Sequence, residues 1–134
     1  MEGNEKRRLK YWWQNDEFQL EQVTSDAHVE GGMEFTQDGK QLVFQQGRGD
    51  LVVFDVAKSE KRKLISGFSG IEFDISSDGH WLAYSQQDNN FNREIWLRKL
   101  DGSDEPVNVS RHPDNEGNPR FSPDGKILAF TGRR

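Results

Sequence analysis

The chain has 134 residues, 32% hydrophobic and 31% charged, with a net charge of −5 and an isoelectric point near 5.2. That acidic balance disfavours non-specific binding to nucleic acid, whose phosphates attract basic surfaces. The absence of cysteine excludes disulfides, thiol catalysis and cysteine-ligated zinc, and no apolar run approaches the ~18 residues a membrane-spanning helix requires. A mean hydropathy of −0.95 is polar enough to suggest disorder. The apolar residues, however, gather in short runs, Leu51–Phe54, Trp81–Tyr84 and Ile127–Phe130, which mark a folded β protein with very polar turns.

In chain order, Met1–Arg8 lacks an apolar signal core, and the basic cluster Lys6-Arg7-Arg8-Lys10 suits a solvated strand edge that deters aggregation. Arg8–Trp13 and Phe18–Thr24 read as two strands closing a preceding unit. Strands are expected next over 31–35, 41–46, 50–55 and 62–66. In the following unit a strand is expected over 70–75, where Ile71, Phe73 and Ile75 alternate with Glu72 and Asp74 in period 2. Strands over 80–85, 93–100 and 106–110 complete it, and 118–121 with 127–131 begin another. No window of a dozen residues keeps a helical period without a Gly or Asp-Gly interruption.

Three of these hairpins share one phrase. Phe35-Thr-Gln-Asp-Gly-Lys-Gln-Leu-Val-Phe44 recurs from Ile75 to Tyr84 and again from Phe121 to Phe130, with its glycines at 39, 79 and 125. A period of roughly 40–50 residues with four short strands per period is that of a propeller blade. Runs such as Leu42-Val43-Phe44 are apolar on both faces, as expected of sheets covered on both sides. The expected fold is all-β: a partial β-propeller of about three four-stranded antiparallel blade-equivalents, two complete and two half. Residues 1–30 would end a preceding blade, 31–68 and 69–112 would form blades, and 113–134 would start a further one. Known propellers use ~4–8 blades, so the ring needs further blades, from a parent protein or a second copy of the chain.

Candidate sites follow from this topology. Asp38-Gly39, Asp78-Gly79 and Asp124-Gly125 are expected to shape turns, since Asp bonds the backbone ahead and Gly accepts a positive φ. Loops after the second and fourth strands share one face of the propeller. They would gather His28, Arg48, Phe68, Asp88, Asn92, His112 and Asp114, while Glu72 and Arg120 on inner strands would point toward the channel. No metal site is expected: His28, His80 and His112 lie in different repeats. The Asp88–Asn92 loop has Arg93 and Lys99 where a calcium loop needs Gly and Glu. Arg48-Gly49-Asp50 and the sequon Asn108-Val109-Ser110 are read as coincidences in a turn and a strand.

Phe121-Ser-Pro-Asp-Gly-Lys126, followed by an apolar tetrad, resembles the propeller repeats of tricorn-type proteases. The Tol-system translocation protein and prolyl oligopeptidase relatives have similar repeats. Asp78–Gln86, Asn90–Leu97 and Asn108–Asn115 look like the propeller region of bacterial tricorn-like serine proteases, and the resemblance covers roughly Gly31 to Arg134. It implies a parent with propellers, a PDZ-like module and a serine-protease domain. No Gly-x-Ser-x-Gly elbow occurs here; Gly67-Phe-Ser-Gly70 misses the pattern, so the chain itself carries no catalytic residue. The implied role is non-catalytic: peptide binding, gating or assembly within a tricorn-like protease, without a cofactor. The alternative is a protein–protein interaction scaffold of the Tol type. Peptides or proteins are the expected partners, and the compartment is open between cytoplasm and periplasm, any signal lying outside this chain.

Overall fold

The computed structural model describes residues 6–8, 19–21, 23, 29–67, 71–111 and 115–132. Every regular element among them is a strand. The first four-stranded antiparallel meander comprises β3 (Val29–Phe35), β4 (Gln41–Gln46), β5 (Asp50–Asp55) and β6 (Glu60–Ile65). The second comprises β7 (Phe73–Ile75), β8 (Trp81–Gln87), β9 (Arg93–Lys99) and β10 (Val107–Asn108). Two antiparallel pairs flank them, β1 (Lys6–Arg8) with β2 (Gln19–Glu21), and β11 (Glu116–Phe121) with β12 (Leu128–Gly132).

The three related hairpins close by one hydrogen-bond pattern. In the middle copy Ser76 Oγ donates to Asp78 Oδ1 at 2.6 Å, and the same oxygen accepts the His80 N–H at 2.9 Å. Ser76 Oγ also accepts the Trp81 N–H at 2.9 Å, and Gly79 N donates to Ser76 O. Thr36 with Asp38 and Ser122 with Asp124 repeat these bonds, with 2.6 Å hydroxyl–carboxylate contacts. Each glycine sits at positive φ, 74°, 77° and 73°, where a Cβ would crowd the backbone. The hydroxyl and backbone donors hold the carboxyls of Asp38, Asp78 and Asp124 below the usual range.

Strand alternation decides which sheets meet. Val43, Leu51, Val53 and Ile65 of the first sheet pack against Phe73, Ile75, Leu82 and Tyr84 of the second, with Ile71 and Leu100, in one buried cluster. The opposite face of the first sheet carries Phe44, Val52 and Phe54, against which Leu42 and Val23 pack. On the far side of the second sheet Ala83, Ser85 and Ile95 are buried, and β11 lies across β7, β8 and β9 with Pro119 and Glu116 buried. Arg62 Nη2 donates to Leu100 O at 2.8 Å, and Arg98 Nη1 donates to Leu64 O at 3.1 Å, tying the outer parts of the two complete sheets.

Most strands fall where alternation places them, and the departures have local causes. β7 starts at Phe73 rather than 70 because side chains take the N–H groups of the two residues before it, although Glu72 O still accepts the Ser85 N–H. Ile71 N donates to Gln45 Oε1 of the neighbouring sheet at 3.0 Å, and Glu72 N donates to Ser85 Oγ at 3.2 Å. β10 shrinks to two residues as Ser110 Oγ, not a carbonyl, accepts the Ile95 N–H. β1 covers Lys6–Arg8, earlier than expected, and residues 9–18 lie outside the described residues.

Candidate functional site

β3, β7 and β11 are the first strands of their sheets and form the inner edge of the stack. Five residues before each turn glycine stand Glu34, Asp74 and Arg120, three equivalent positions along that edge. Glu34 shares a hydrogen bond with Asp74. Burial, then the Asp74 charge and this hydrogen bond, push the Glu34 carboxyl up to about 7, and Arg120 pulls it in the opposite direction. A carboxyl near 7 holds and releases a proton around neutrality, so two acids here share less than two full charges.

The edge is laced to its neighbours through backbone groups. Asp74 Oδ2 accepts the Phe121 N–H at 2.7 Å, and Glu72 Oε1 accepts the Asn118 N–H at 3.2 Å. Arg120 Nη1 donates to Pro119 O at 2.8 Å and to Phe73 O at 3.3 Å. Glu72 approaches closely because residue 117 is glycine; a Cβ there would stand 2.6 Å from Glu72 Oε1. Two open cavities flank the cluster. One of about 300 Å3 is lined by Gly32, Met33, Glu34, Ile71, Glu72, Phe73 and Arg120. The other, of about 250 Å3, is lined by Glu34, Phe35, Asp74, Ser77, Phe121 and Pro123 among others. The inner edge thus offers carboxylates, one guanidinium and apolar walls within a groove.

The loop residues singled out from sequence fare differently. Arg48 stands exposed in the β4–β5 turn. Asp88 and Asn92 come together in the β8–β9 loop: Asp88 Oδ1 accepts the N–H groups of Asn90 at 2.8 Å and Asn92 at 2.9 Å, while Asp88 N donates to Asn92 O. These bonds spend one Asp88 oxygen on the loop itself and present Phe91, 73% exposed and at φ 64°, at its tip. Among the described contacts none joins Arg48, the Asp88 loop and Arg120 to one another. His28, Phe68, His112 and Asp114 lie outside the described residues. Glu34 and Asp74 were missed by reading strands singly; aligning the three copies on their turn glycines would have found them beside Arg120.

A larger groove of about 460 Å3 lies beside the same hairpin turns, lined by Asp38, Asp78, His80, Trp81, Lys99 and Asp101 among others. Its carboxyls are committed to turns, as Asp78 is to Ser76 and His80, and Asp101 to Ser103. Among the described residues no three His, Asp or Glu side chains converge as a metal site, and no helix is long and apolar enough to cross a membrane.

No protein-family model matches the chain. A 72-residue alignment with Probable dipeptidyl-peptidase 5 of Emericella nidulans is 38% identical and covers 44% of this chain and 10% of that protein. The chain therefore spans about a tenth of the length of this curated relative. The crystal structure of tricorn protease matches with a TM-score of 0.67 at 17% identity, over 76% of this chain and 11% of that one. TolB from Acinetobacter baumannii matches with a TM-score of 0.71 at 20% identity, over 87% of this chain and 29% of that one. At such identities the likeness is one of fold. The chain has a propeller-type repeat fold similar to that of tricorn protease and TolB.

Proposed function

We propose that this propeller segment is a non-catalytic peptide-binding element of a tricorn-like protease, holding extended chains along its inner edge. The observation that carries the reading is the groove at Glu34, Glu72, Asp74 and Arg120, where both signs of charge stand beside apolar walls. An extended peptide presents the same mixture: backbone donors and acceptors, charged side chains and apolar ones. The partial likeness to a dipeptidyl-peptidase and to tricorn protease supports a protease setting. Fluorescence anisotropy with labelled, unstructured peptides of mixed sequence tests the reading. Arg120→Ala and Glu72→Gln should each weaken binding several-fold; equal affinity for both variants and the parent would refute it.

One observation favours a second reading, a protein-interaction scaffold of the Tol type. Phe91 is held outward by the Asp88 bonds in a backbone conformation that bulky residues seldom adopt. A protein docking there would lose its hold on Phe91→Ala and be indifferent to Arg120→Ala, the reverse of the peptide result.

A further inference from the structure

A hydrogen bond between two carboxyls requires a proton between them, since two carboxylates have only acceptors to offer. Glu34 and Asp74 share such a bond across the seam of the first and second sheets, beside a cavity that both of them line. We propose that a basic side chain of a bound peptide replaces this proton, so that the inner groove takes up lysine- or arginine-bearing segments in exchange for it. This preference rests on the peptide-binding reading and names the class of peptide that the same groove selects. Every group involved stands on β3, on β11 or at residues 72–74, between neighbouring sheets of this chain.

The charge around the pair favours a cation. Among the described residues the charged groups that face Glu34 are Asp74 from β7 and Arg120 from β11. Glu72 lines the adjoining cavity with Glu34 and Arg120. Arg120 is directed at carbonyls rather than at the acids: its Nη1 donates to Pro119 O at 2.8 Å and to Phe73 O at 3.3 Å. Asp74 is anchored through Oδ2, which accepts the Phe121 N–H at 2.7 Å, so it stays in place when the proton leaves. Glu34, Glu72, Asp74 and Arg120 together carry a net charge of −1 with the proton aboard and −2 without it. A peptide ammonium or guanidinium restores the charge that the departing proton removes.

The groove also suits the stem of such a side chain. Cavities of about 300 and 250 Å3 open on either side of Glu34, one walled by Met33, Ile71 and Phe73, the other by Phe35, Ile75 and Phe121. Apolar walls leading to a carboxyl pair match an aliphatic stem with a charge at its tip. The walls continue in both directions, so a chain running along the edge can present the side chain from its middle. A bare metal ion would want three or more converging ligands, and no such group of His, Asp or Glu exists among the described residues.

Fluorescence anisotropy tests the exchange, with peptides blocked at both ends that carry either a central lysine or its Nε-acetyl form. Lysine stays charged through neutral pH, and neither peptide has another titrating group. A cation favours the ionised pair, so the lysine peptide should bind more tightly as pH rises. Between pH 6 and pH 8 the gain should be about tenfold, the limit for displacing one proton held at about 7. The acetyl-lysine peptide should bind alike at both pH values. Glu34→Gln keeps a donor toward Asp74 but does not titrate, so it should abolish the pH dependence of the lysine peptide. Far-UV circular dichroism verifies that the variant is folded. A pH dependence shared by both peptides, absent from both, or surviving in Glu34→Gln would overturn the exchange while the peptide-binding reading stood. Failure of both peptides to bind at either pH would instead refute that reading, and the exchange with it.

Discussion

The two seams between the described blades are built from different chemistry. Between the first and second sheets Val43, Leu51, Val53 and Ile65 meet Phe73, Ile75, Leu82 and Tyr84 in one apolar cluster. Between the second sheet and β11–β12 the buried residues are smaller or polar, Ala83, Ser85, Glu116 and Pro119 beside Ile95. Directional bonds carry more of that second seam, Asp74 to Phe121 N, Glu72 to Asn118 N, Arg120 to Phe73 O and Ser77 Oγ to Pro123 O, whereas Arg62, Arg98 and Gln45 add theirs to the apolar cluster of the first. The apolar cluster of the first seam scales with area and ignores proton concentration, whereas the Glu34–Asp74 hydrogen bond that crosses the same seam answers to it. A bonded seam is weaker per unit area but fixes register, and it answers to charge.

The largest effect should come from breaking the apolar seam. Leu82→Ala, at a fully buried position, is expected to cost about 3 kcal/mol in urea denaturation through lost burial and the cavity left behind. Gly79→Val is expected next, at roughly 1–2 kcal/mol, since the φ of 77° is retained by a β-branched residue only under strain. It acts at the end of both seams, because Thr36 lies 3.9 Å from the site of the added Cβ and Ser77 beside it bonds Pro123 O. Asp74→Ala should cost about 1–2 kcal/mol by leaving the Phe121 N–H without its acceptor. Hydrogen exchange should then quicken at β11 and β12 while β4 and β5 stay protected; uniform quickening would show the seams are not separable.

The smallest effect is also the most diagnostic. Glu34 has its folded pKa raised from 4.5 to about 7. Between those values the folded chain keeps a proton that the unfolded chain has released, so stability declines as pH rises through the window. Glu34→Gln should remove that decline, stabilising the chain by about 1 kcal/mol at pH 8, after allowance for solvent screening, with little change at pH 4. Thermal melts at the two pH values check it, and an equal shift at both would rule out the proton as the cause.

The architecture was legible because its signals are local. Thr36-x-Asp38-Gly39 and its two counterparts build their turns from bonds spanning five residues or fewer, and Leu42-Val43-Phe44 announces burial on both faces by composition alone. What escaped depends on neighbours far along the chain. Glu34 and Asp74 become a pair only when two sheets stack, and 40 residues separate them in sequence. The polarity of its loop marks Asp88 as a candidate binding residue but does not show that one of its oxygens also holds the backbone of that loop. β7 and β10 were overestimated because Gln45, Ser85 and Ser110 replace ladder carbonyls, which alternation cannot foresee.

The hydroxyl–carboxylate turns also bear on how the chain reaches this state. Each closes a hairpin using groups a few residues apart, so little loop entropy is lost before the first bonds form. Three such nuclei, at Asp38, Asp78 and Asp124, let folding begin in any repeat and spread outward by stacking. A lesion in one turn should then slow its own blade while the others still assemble.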